Sequence, residues 1–157
     1  MPKLEIGQEV VSINFGVGVI TEIKDMSGAE FYIIESSQGR STTMIPTVKE
    51  DAFRPLSSPT ELEETLDKLS QNSEIRKFDS KKDRINFFKS NIQKQDIDTF
   101  VDNIQQLLQI TDKGSAESKY LEMLLENLSV EVGAVFNEDL NQAKERVNSC
   151  LDGKFSF

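Results

Sequence analysis

A chain of 157 residues, 37% hydrophobic and 29% charged, suits one compact domain or two very small ones and is too apolar to be disordered. With no histidine and one cysteine, Cys150, it can form neither an intramolecular disulfide nor a Cys/His zinc site, and histidine-based acid–base catalysis is excluded. The net charge is −9, no apolar run approaches the roughly 20 residues of a membrane helix, and Met1-Pro2-Lys3-Leu4-Glu5 lacks the apolar core of a signal peptide, so a cytoplasmic location is expected.

Residues 1–52 read as β structure. Val10, Val11 and Ile13 form a short apolar run after Gly7. Val17, Val19, Thr21 and Ile23 then alternate with Gly18, Ile20 and Glu22, the period of a strand. Asp25-Met26-Ser27-Gly28 marks a turn, and Phe31 to Ile34 are rich in β-formers. Ser36-Ser37-Gln38-Gly39 reads as a hairpin connection, and Ser41 to Ile45 return as a strand stopped by Pro46. Four or five short strands in so few residues are expected to curl into a small barrel.

The period changes to that of a helix after residue 58. Ser58-Pro59-Thr60-Glu61 supplies an N-cap, a proline at the first helical position and a capping-box glutamate, and Leu62, Leu66 and Leu69 follow. A connector over 70–79 precedes a second helix over about 80–94, with Ile85, Phe88 and Ile92 on one face. A third starts near Asp96 and carries Ile97, Phe100, Val101, Ile104, Leu107 and Leu108, ending at Asp112-Lys113-Gly114. Ser115 is placed to cap a fourth helix and Asn137 a fifth, with Gly153 just past the last turn. The fold class is α+β: a β module over 1–52, then a helical domain of about five helices over 53–157.

No constellation supports an enzyme, and no metal or cofactor is implied. Gly16-Val17-Gly18 lacks a third glycine and leads into a strand, so no helix N-terminus is available for a phosphate. Glu63-Glu64 and Glu138-Asp139 fall in first turns, where they complement the helix dipole. Charge is uneven, however. Residues 74–94 carry seven basic and three acidic side chains, while the chain as a whole is acidic. This segment is either a solvated helix start or a phosphate-contacting edge.

The segment order resembles the CarD/CdnL family of bacterial RNA-polymerase-binding transcription regulators and the polymerase-interacting module of the transcription-repair coupling factor. "IGQEVVSINFGVGVITEI" is similar to that family's opening strand pair, "EFYIIE" and "TTMIP" to its next hairpin, and "DAFRPLSSPTELEETLDKLSQ" to the join with its first helix. The resemblance implies a Tudor/SH3-like β barrel that docks strand to strand on a lobe of the polymerase β subunit, through Met44, Pro46 and Ile34 here. It also implies a monomer, associated with the nucleoid through polymerase, whose helical domain reaches promoter DNA at the upstream edge of the bubble. Arg76, Lys77, Lys81, Lys82 and Arg84 are the candidate phosphate contacts; the alternatives are a polymerase-binding adaptor without DNA contact and a Tudor-like peptide-binding module unrelated to transcription. The family's helical domain typically carries a tryptophan wedge. This chain has no tryptophan; the matching position falls near Lys81, and Phe78 is the nearest apolar substitute. Packing of Phe78 against the first helix is the slightly preferred reading.

Overall fold

The structure is a computed structural model that describes residues 4–151 apart from 38, 40, 50 and 72. An antiparallel five-stranded sheet comes first: β1 (Glu9–Ser12), β2 (Gly16–Met26), β3 (Ala29–Ser36), β4 (Thr42–Pro46) and β5 (Arg54–Pro55), in spatial order β4-β3-β2-β1-β5. Five helices follow: α1 (Pro59–Leu69), α2 (Lys81–Asn91), α3 (Ile97–Gln109), α4 (Ser115–Phe136) and α5 (Leu140–Cys150). Among the described residues, no helix is long and apolar enough to cross a membrane.

The sheet is open. A closed barrel was the expectation from the sequence, but β4 and β5 stand at opposite edges and do not pair. The edge strands are short, five and two residues, so they leave little backbone with which to close the ring. One face of the sheet buries Val10, Ile20, Tyr32, Ile34 and Ile45 with Phe53, and the Tyr32 ring meets Phe53 edge-on with centroids 5.6 Å apart.

Two local features set which side chains reach that core. Thr21 is a bulge: Ile20 pairs with Ile34 and Glu22 with Ile33, so the register shifts between them. The extra residue restores Ile23 to the face of Ile20, and both pack against the core although they are three positions apart. At Gly18 a Cβ would stand 2.7 Å from Ile34 Cγ2 and 2.9 Å from the Glu35 carbonyl oxygen, so only glycine lets β2 and β3 approach this closely. The β2–β3 hairpin turns on Ser27 and Gly28, both at positive φ, the backbone that matches the right-handed twist of the strands.

The helical domain buries a single leucine-rich core built from Leu62, Leu69, Phe88, Ile104, Leu121, Leu124, Leu125, Leu128 and Val147 with their neighbours. The capping box at Ser58 and Glu61 forms as the sequence indicates. Two other caps are corrected. Gly114, not Ser115, caps α4, because the Glu117 carboxylate takes the Gly114 N–H at 3.2 Å and draws the helix start one residue back. Asp139, not Asn137, caps α5; Asn137 closes α4 in the left-handed conformation, which asparagine tolerates. Neither acidic pair lies in a first turn as expected: Glu63-Glu64 fall in the second turn of α1, and Glu138-Asp139 precede α5, where Asp139 is the cap and Glu138 pairs with Arg146. Gly153 and Gln38 lie outside the described residues.

Candidate docking edge and basic segment

β4 is the open edge of the sheet. Ser36 N–H donates to the Ser41 carbonyl and Thr47 N–H to the Glu30 carbonyl, each at 3.0 Å, which fixes the phase of the β3–β4 ladder. In an antiparallel pair, hydrogen-bonded and non-bonded positions alternate. The Tyr32–Ile45 and Ile34–Thr43 pairs are therefore bonded, and the Ile33–Met44 and Glu35–Thr42 pairs are not. The N–H and C=O of Thr42 and Met44 point away from β3, into the open edge. Pro46 falls in the same outward phase, where its missing N–H costs the ladder nothing, and its carbonyl closes a turn by accepting from Lys49 N–H.

Side chains on this edge divide between the faces. Ile45 is buried, and Met44 stands outward, 46% exposed, opposite Ile33. Pro46 lies opposite Phe31, and Val48 is exposed just beyond the strand. The stretch from Ser41 to Val48 has no charged side chain. Edge strands that must avoid other chains usually carry charges, and this one carries an apolar stripe beside free backbone groups. Ile34, the third residue anticipated for docking, faces the core and is 1% exposed. At the other edge, β5 is only two residues long, and the Arg54 side chain on it pairs with Glu131 of α4.

Of the five candidate phosphate contacts, which lie on the connector and α2, three are tied down. Arg84 donates to Glu117 at 2.6 and 2.8 Å and to Asp112 at 3.0 Å. Lys81 reaches the same Asp112 at 3.2 Å, and Arg76 pairs with Asp102 at 3.1 Å while lying over the Phe87 ring. The charges shift accordingly. Glu117 raises the Arg84 pKa above its ordinary value despite partial burial of the guanidinium. Lys81 and Arg84 hold the Asp112 carboxyl below its usual range. Among the described residues, Lys77 and Lys82 are exposed and take part in no ion pair. Phe78 packs inward against Phe87 and Phe88, with centroids 5.3 and 6.0 Å away. The exposed apolar side chain in this region is Ile75, 54% exposed, which sequence periodicity could not single out because it lies in an irregular connector.

Residues 4–57 match the family model of the CarD-like/TRCF RID domain. The chain carries an RID module. The family is one of RNA-polymerase-interacting domains. The match spans all five strands and ends before α1, so the RID module is the open sheet just described, with its β4 edge free. Comparison with curated proteins finds no match.

Proposed function

We propose that this chain regulates transcription by binding bacterial RNA polymerase through the β4 edge of its RID module, and that it acts by binding and not by catalysis. The observation that carries this reading is the free edge at Thr42 and Met44, beside exposed Met44, in a module of a polymerase-interacting family. A strand of the polymerase β subunit adds to the sheet there. Main-chain hydrogen bonds supply affinity, and the Met44, Pro46 and Val48 stripe supplies selectivity. Ile34 acts from beneath, by holding β4 in register.

The test is direct binding of the chain to the isolated β-subunit lobe. Met44→Glu places a charge in the apolar contact and weakens binding by about 1–3 kcal/mol. Unchanged affinity in a folded Met44→Glu variant rules the edge out.

Contact with promoter DNA near the bubble is the second half of the proposal, and it rests on Lys77 and Lys82. A polymerase-binding adaptor without DNA contact is the competing reading. It is favoured by the ion pairs that occupy Arg76, Lys81 and Arg84 and by the inward packing of Phe78, which withdraws the candidate wedge. Polymerase would hold the helical domain beside the promoter, where a high effective concentration offsets the long-range repulsion of an acidic chain.

A further inference from the structure

The sheet and the helical core meet through directional polar contacts. Glu131 of α4 is 1% exposed and accepts two hydrogen bonds from Arg54 of β5, at 2.9 and 2.6 Å, and one from Ser57 N–H at 3.0 Å. One turn earlier on the same helix face, Asn127 donates to the Ser12 carbonyl at the end of β1, at 2.9 Å. Gln95, in the α2–α3 loop and 8% exposed, accepts from Ile13 N–H at 3.2 Å and donates to the Gln93 carbonyl at 2.8 Å. Gly16, at positive φ, starts β2 beside α4, where a Cβ on it would lie 3.6 Å from the Val130 side chain.

Three segments of the RID module, namely the end of β1, the β1–β2 turn and the run from β5 to α1, are thus each fixed to the helices by a side chain of matched chemistry. A buried ion pair is a weak source of stability, since well-packed apolar residues often serve as well. Apolar surfaces tolerate sliding, whereas a bidentate pair and oriented amides admit one angle. The placement of this junction gives that angle a consequence. It lies at the β5 side of the sheet, four strand spacings or about 19 Å from the β4 edge.

We infer that Arg54, Glu131, Asn127 and Gln95 are positioning residues, which hold the helical domain at one angle to the β4 edge so that docking of that edge dictates where the helices sit on the partner. The inference rests on the polymerase-binding reading for its consequence but not for its geometry. Residual dipolar couplings measured on the full chain separate the two. In the wild type a single alignment tensor fits both the sheet and the helices. Glu131→Ala splits it into two while each part keeps its own internal couplings, and Glu131→Gln, which retains an acceptor for Arg54 and Ser57, stays close to one. Asn127→Ala provides a second variant that leaves no buried charge unpaired. Affinity for the isolated β-subunit lobe stays within twofold in all three, while the effect on open-complex lifetime falls severalfold in Glu131→Ala. A single tensor retained in both Glu131→Ala and Asn127→Ala overturns the inference. A wild type with one tensor but no affinity for the lobe overturns the polymerase reading and leaves the positioning geometry standing.

Discussion

Arg84 and Glu117 are joined by two hydrogen bonds, at 2.6 and 2.8 Å, between a mostly buried guanidinium on α2 and a carboxylate only 1% exposed on α4. Arg84, one of the five candidate phosphate contacts, is thus a strut between two helices. Removing the carboxylate leaves Arg84 buried with half its partners, so Glu117→Ala lowers unfolding stability by about 3–5 kcal/mol, measured by urea denaturation.

The same pair sets the acid limb of stability. Burial pushes the Glu117 carboxyl up, but the Arg84 guanidinium and the Gly114 N–H outweigh it and hold the group below the ordinary glutamate range. Asp112 is held low by Lys81 and Arg84. A depressed carboxyl binds fewer protons folded than unfolded, so its contribution is full above the ordinary carboxylate range and is lost as pH falls through the folded value. Stability therefore declines below about pH 4–5, and Glu117→Gln flattens that decline. An unchanged acid slope in Glu117→Gln contradicts the assignment.

Gly18 is required by the approach of β2 to β3. Adding one methyl in Gly18→Ala forces it against Ile34 and the Glu35 carbonyl, and the second of these is backbone that cannot rotate away. Overpacking of this kind costs about 1–3 kcal/mol. Thermal unfolding of the variant checks it, with Gly39→Ala as a control, since a Cβ there meets nothing within 4 Å.

For DNA, the ion pairs divide the basic segment into two groups with different expected behaviour. Lys77→Glu/Lys82→Glu alters open-complex lifetime without altering the fold, and lowers the salt slope by roughly one unit for each phosphate no longer neutralised. Lys81→Glu has a smaller effect on lifetime, because Asp112 at 3.2 Å already neutralises that exposed lysine. Lifetimes and slopes unaffected by the Lys77/Lys82 reversal leave the adaptor reading in place.

The helices were legible wherever an apolar stripe and a cap coincided, as in Ser58-Pro59-Thr60-Glu61 and in Phe100 to Leu108. Strand positions were legible too, but not the bulge at Thr21, since a one-residue insertion leaves the same alternation on either side and reveals itself only in the partner strand. β5 was invisible because Arg54-Pro55 has no strand composition of its own; it is a strand because β1 offers it an edge. Candidate edge residues Met44 and Pro46 were readable from the family resemblance. The fate of the basic residues was not, because Asp102, Asp112 and Glu117 lie 26 to 33 positions from the cations they bind.

The central claim is strand addition at β4, and amide hydrogen exchange reads it most directly. In the free chain the Thr42 and Met44 amides face the open edge and exchange quickly, while those of Thr43 and Ile45 face β3 and are protected. Adding the polymerase β-subunit lobe should slow exchange at Thr42 and Met44 by at least about tenfold and leave Thr43 and Ile45 little changed. Tight binding of the lobe with Thr42 and Met44 still exchanging at their free rates would contradict the account.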